Sequence, residues 1–131
     1  MLKSFGAATV LAAALATAVH AADATGTWKT QAGRNGDYLH VRIAPCGTDL
    51  CGTIDGAFGA DGKAVPGYKY AGKKMIWDMT PDGTGKWSGG KIWSPVRDIT
   101  ASGKLALRGD TLVVSGCKGP ICRSQDWMRA D

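Results

Sequence analysis

Four cysteines stand in two copies of one spacing, Cys46-Gly-Thr-Asp-Leu-Cys51 and Cys117-Lys-Gly-Pro-Ile-Cys122. Two chemistries suit that arrangement. Each copy follows an alternating apolar run, over residues 38–45 and 111–116, and leads into another strand-like run. Cysteines flanking a four-residue turn sit opposite each other across a hairpin, within reach of a disulfide. The expected pairs are therefore Cys46–Cys51 and Cys117–Cys122. The rival is a four-thiolate zinc site, whose ligand spacing also admits four intervening residues. An oxidising compartment favours the disulfides over the metal. No other metal or cofactor site is expected.

Acid–base or nucleophilic chemistry has little to work with. Apart from His20 near the N-terminus, the chain has one histidine, His40, on an alternating strand beside Tyr38 and Arg42. There is no glutamate, and many of the 11 aspartates fall in turns such as Asp61-Gly, Asp82-Gly and Gly109-Asp. Such residues serve turn geometry. No nucleophile-elbow pattern accompanies His40, and no helix follows the glycine pairs to hold a phosphate. An enzyme is not expected; the only nucleus for one would be His40 with Asp55 or Arg42.

Binding chemistry is better supplied. Five tryptophans and three tyrosines are generous for a small core. They can be core filler, since side chains alone can occupy a narrow barrel. Alternatively Trp77, Trp87 and Trp93 line one end of an apolar pocket, with Met75 and Met79 as adaptable surface. Arg123 and Gln125 share a face with Trp127 by period two. If that face points inward, they form the polar pair that an amphiphile's head group requires; if outward, they are surface residues.

The elements that must position these residues come after a leader. Lys3 supplies a positive start, residues 5–19 are apolar and uncharged, and Val19-His-Ala21 offers small residues at the two positions a signal peptidase reads. Cleavage is expected after Ala21, with Ala24 as the second choice. Removing 21 of 131 residues leaves 110, a single domain over residues 22–131 with a charge reduced from +5 to +4. No later segment is apolar enough to span a membrane, so the protein is expected to be periplasmic or secreted. Abundant glycine and few strong helix formers point to strands and turns.

Period-two alternation then places strands along the chain. Leu39, Val41 and Ile43 share one face; Met75, Trp77 and Met79 are expected to align. Ile99, Ala101, Gly103, Leu105 and Leu107 alternate without a miss. Residues 59–72 form the longest irregular stretch, a candidate lid. About eight strands joined mostly by short turns predict an all-β fold, a small antiparallel up-and-down barrel, with a flattened sandwich as the alternative.

The ends of the mature chain carry a resemblance. Gly26-Thr-Trp28 on the first strand and Arg129 on the last resemble the lipocalin-type barrel signature, which implies that Trp28 closes the barrel floor and Arg129 packs against it. Pro45-Cys46, Trp87-Ser-Gly-Gly-Lys-Ile with Pro95, and Cys117 through Cys122-Arg-Ser-Gln125 with Trp127 and Arg129 resemble the bacterial family called domain of unknown function 2147. That resemblance implies an exported lipocalin-like barrel and no settled activity.

Together these features predict a non-catalytic envelope protein that binds a small apolar or amphiphilic, lipid-like ligand. Trp77, Trp87, Trp93, Met75, Arg123 and Gln125 are its expected ligand contacts. The alternative is an envelope interaction or stress protein whose barrel is filled and whose loops, around residues 68–74, contact a protein or cell-wall partner. The basic charge suits an anionic envelope component; export argues against nucleic acid.

Overall fold

Strand follows strand because runs rich in β-branched and aromatic residues are repeatedly cut by glycine, proline and aspartate turns. A computed structural model describes residues 23–131; the leader expected over residues 1–21 lies outside them. The strands are β1 (Gly26–Lys29), β2 (Tyr38–Cys46), β3 (Asp49–Phe58), β4 (Lys74–Pro81), β5 (Lys86–Ser94), β6 (Ile99–Arg108), β7 (Thr111–Lys118) and β8 (Ile121–Arg129). Each pairs antiparallel with the next, and β1 pairs with β8 to close an eight-strand barrel. Closure leaves no sheet edge.

Up-and-down order sorts the connections into two ends. One end carries Asp23, the C-terminal residue Asp131 and the tight turns after β2, β4 and β6. The other carries the connections 30–37, 59–73, 95–98 and 119–120. The two disulfides divide between them: Cys46–Cys51 at the first end and Cys117–Cys122 at the second. Neither of the described cysteine pairs leaves a thiol for zinc. The turns are tighter than the cysteine spacing predicts. Cys46 pairs with Asp49 and Lys118 with Ile121, each across two residues. Cys117 therefore faces Cys122 directly, whereas Cys51 lies opposite Ala44 and reaches Cys46 diagonally, with a Cα separation of 5.7 Å.

The barrel is filled at the first end. Trp28, Val41, Ile43, Ile54, Ile76, Met79, Leu105, Leu112 and Trp127 are wholly or almost wholly buried there or at mid-height. Trp28 is the plug. Its indole N–H donates to the Ala24 carbonyl at 2.8 Å, and the Arg129 guanidinium lies over its ring at 4.3 Å. Arg129 also donates to the carbonyls of Thr25 and Asp23. Gly26 is required there: its φ is 134°, and a Cβ would stand 2.7 Å from the Arg129 guanidinium. Gly103 likewise leaves room for Ile92, whose Cγ1 a Cβ would meet at 2.7 Å. No buried side-chain nitrogen or oxygen among the described residues lacks a hydrogen-bond partner, as a dry core demands.

The expected alignment of Met75, Trp77 and Met79 is broken by bulges. On β4 three steps separate Ile76 from Met79, while their β3 partners Gly52 and Leu50 are two apart. The extra residue falls at Trp77-Asp78, where Asp78 adopts a φ of 57°. A bulge shifts every later side chain by one position. Ile76 faces Ile92 and is buried, Trp77 faces exposed Lys91, and Met79 returns to the interior.

Candidate functional site

Side-chain size tapers along the last three strands toward the second end. The inward row of β6 runs Leu105, Gly103, Ala101; that of β7 runs Leu112, Val114, Gly116; that of β8 runs Trp127, Gln125, Arg123. Large apolar groups fill the lower half, and small or polar ones leave the upper half hollow. The result is a mouth with two adjoining compartments.

The first, about 510 Å³, is walled by Ile92, Ala101, Val114, Gly116 and Trp127, with Met75 between the two. Its rim carries Gln31, Ser94, Arg97, Ile99, Lys118, Ile121, Arg123, Ser124 and Gln125. The second, about 540 Å³, lies under the 59–73 connection and is lined by Leu39, Ala57, Phe58, Val65 and Tyr68, with Arg34, Asn35 and Asp37 at its edge. Gln31, Met75, Ser94 and Gln125 belong to both. Each volume falls in the range of small-molecule sites.

The polar groups are arranged as donors. The Gln125 carbonyl oxygen accepts from the Trp127 indole at 2.8 Å, and that of Gln31 accepts from the Asp126 backbone N–H at 3.0 Å. Each glutamine thus uses its carbonyl oxygen within the protein and leaves its NH₂ toward the compartment. Arg97, Lys118 and Arg123 add three cations, and no carboxylate lines this compartment. In the second, burial and the neighbouring Tyr70 raise the Tyr68 pKa, keeping the phenol a donor.

Met75, Arg123 and Gln125 of the expected contacts therefore meet at the mouth. The three tryptophans do not line either compartment. Trp87 is buried opposite Leu105 in the filled half. Trp77 lies on the outer side of the β4 bulge. Trp93 alternates with the cavity-lining Ile92 and Ser94, so it points outward. There its indole donates to Asp98 at 2.8 Å, Tyr70 meets it edge-on at 5.1 Å, and the Lys73 ammonium lies 4.1 Å above the ring. The 59–73 connection is thus pinned to the barrel wall. Its backbone also bonds Ile54 at Lys73 and Gly72, and Val65 bonds Ala57. Gln31, Arg97, Lys118, Ala101 and Gly116 were missed from the sequence, although the taper of β6 and β7 is legible there.

His40 lies on the outer face of β2, between Tyr38 and Phe58, with ring centroids 5.9 and 4.3 Å away. Burial lowers its pKa below 6.5, with Asp55 opposing and Lys29 reinforcing the shift. Asp55 itself is held by Arg42 at 2.7 Å. Among the described residues no cluster of His, Cys, Asp or Glu could hold a metal, and no helix is long and apolar enough to cross a membrane.

Charge is distributed unevenly along the barrel axis. The mouth segments carry Arg34, Lys63, Lys69, Lys73, Lys74, Arg97, Lys118 and Arg123 against Asp37, Asp61 and Asp98. The plugged end carries Asp23, Asp49, Asp82, Asp110 and Asp131 against Lys86, Arg108 and Arg129. The mouth is basic and the plug acidic.

A closed eight-strand up-and-down barrel, plugged at one end by a tryptophan under an arginine and hollow at the other, is a lipocalin-like architecture. The chain belongs to the family described as an uncharacterized protein conserved in bacteria (DUF2147), whose model matches residues 26–129. In fold it is similar to protein HP1028 from the human pathogen Helicobacter pylori, described as belonging to the lipocalin family. The two share 16% identity over 82% of each chain, with a TM-score of 0.64. No curated protein matches the sequence.

Proposed function

We propose that this protein is exported to the bacterial envelope and carries a small amphiphile, with an apolar tail and an anionic head, without catalysing a reaction on it. One observation carries the reading. The first compartment joins an apolar wall to three cationic side chains and two amide donors, with no carboxylate among its lining residues. The tail would lie against Ile92, Val114 and Trp127. Arg123, Gln125 and Gln31 would receive the head group through charge-assisted and amide hydrogen bonds.

Other features support the remaining parts. His40, the one histidine of the mature chain, stands on the outer face of β2 and lines neither compartment, which favours binding over catalysis. Two disulfides suit an oxidising compartment. Asp23 and Ala24 take part in the floor through Arg129 and Trp28, which favours cleavage after Ala21 over cleavage after Ala24.

Dansyl-labelled undecanoic acid provides the test. The oxidised protein is expected to bind it with a blue shift in emission. Arg123→Glu should weaken binding at least tenfold, since a hydrogen bond to a charged group is worth about 1.5–3 kcal/mol. Ala101→Leu should abolish binding by filling the compartment, while the urea midpoint stays near that of the parent. No binding by the parent, or equal binding by Arg123→Glu, would overturn the proposal.

A further inference from the structure

We propose that the mouth of the barrel docks on an anionic lipid surface, with Val96 and Ile121 entering the headgroup layer and the surrounding basic side chains meeting its phosphates. The apolar half of the argument is where the exposed aliphatic groups lie. Among the described residues five large hydrophobic side chains are exposed, and four of them ring the mouth: Val96 at 92%, Ile121 at 63%, Val65 at 45% and Ile99 at 39%. Single exposed apolar residues are ordinary. Four gathered around one opening, from three separate connections, mark an interaction surface. The fifth, Met128, lies on the wall near the plug, where Thr111 hydrogen-bonds its sulfur.

Charge supplies the orientation. Eight basic and three acidic residues occupy the mouth segments. Two of those acids are already engaged, Asp61 by the Lys63 backbone N–H and Asp98 by the Trp93 indole. The opposite end has an excess of aspartate. A molecule polarised in this way approaches a negative surface mouth first, and each basic side chain near such a surface favours partitioning about fivefold. Aliphatic tips interleaved with cations are the composition that settles at a lipid interface.

The shape favours lipid over a folded partner. The tips form a ring around a hollow, so a rigid protein face would bridge the rim and leave the compartments unfilled. A fluid headgroup layer conforms to such a ring. Docking stands independently of the carrier reading. If that reading also holds, the amphiphile passes between bilayer and cavity without crossing water.

Co-sedimentation of the oxidised mature protein with vesicles tests the proposal. Vesicles of phosphatidylethanolamine with about 30% phosphatidylglycerol should bind it in physiological salt, and pure phosphatidylcholine vesicles should not. Val96→Asp should lower binding at least tenfold, with Val96→Leu restoring it. Lys63→Glu with Lys69→Glu, neither residue lining a compartment, should also lower it tenfold or more while leaving the affinity for the dansyl fatty acid unchanged. Failure of the parent to bind the anionic vesicles, or Val96→Asp binding as the parent does, would overturn docking. The dansyl assay is run without vesicles, so failure of the carrier reading registers separately.

Discussion

The two ends of the barrel solve opposite problems with the same strands. At the plugged end, Trp28 is wholly buried, its indole hydrogen-bonded to Ala24 and its face covered by Arg129. Arg129 in turn satisfies two backbone carbonyls of the entering chain. At the mouth, arginines and amides face a hollow and Val96 stands in solvent. Where a side chain's polar atoms are matched within the protein, it contributes to stability. Where they face the hollow, as the Arg123 guanidinium does, they are free of partners among the described residues. The difference teaches that a filled, polar-matched half and a hollow, donor-lined half are separated along the barrel axis, with Trp127 and Gln125 as the joint.

Substitution of Trp28 should break the plugged end most severely. Trp28→Ala removes a fully buried ring and orphans the Ala24 carbonyl and the Arg129 face, for a loss of about 3–5 kcal/mol in urea unfolding. A loss below about 1 kcal/mol would mean that the plug is not the keystone of closure. The disulfides sharpen the comparison next. Replacing either pair by serines should cost about 2 kcal/mol under the chain-entropy model. Only the Cys117/Cys122 variant should also weaken dansyl fatty acid binding, because that staple sits at the mouth beside Lys118, Ile121 and Arg123. Equal effects on binding from both variants would erase the division between the ends.

The smallest expected effect belongs to the outer wall. Burial lowers the folded-state pKa of His40 below its ordinary 6.5, so the unfolded chain binds more protons just below that pH. The stability attached to neutral His40 is fully present above 6.5 and is lost as pH falls through 6.5 toward the folded value. His40→Gln should flatten that slope in pH-dependent urea midpoints and leave ligand binding unchanged. An unaltered slope would show that another group titrates there.

Much of this arrangement is legible along the chain. Alternation marks all eight strands, because every strand has one buried face and neighbours in sequence are neighbours in the sheet. The staples are equally local, and the plug is what the resemblance of Gly26-Thr-Trp28 and Arg129 to the lipocalin-type signature implies. Sequence reasoning fails where one extra residue changes the face. Two bulges, one between Lys74 and Ile76 and one at Trp77-Asp78, leave Trp77 facing outward although Met75 and Met79 are both buried, and no pattern in Lys74-Met-Ile-Trp-Asp-Met announces them. It fails again where a loop, rather than the barrel, buries a tryptophan, as Tyr70 and Lys73 do for Trp93.

Residue types and their period were enough to set an all-β chain, its approximate strand count and its cysteine partners, because those depend on contacts a few residues apart. The side of the sheet on which Arg123 and Gln125 lie required the barrel to close. Pairing of Trp28 with Arg129 joins positions about a hundred residues apart, and that join fixes which face of β8 is enclosed. Whether the interior is filled or hollow was settled in the same way. Volume is shared among all eight strands, so small Ala101 and Gly116 become a cavity only when no larger neighbour reaches across to fill it.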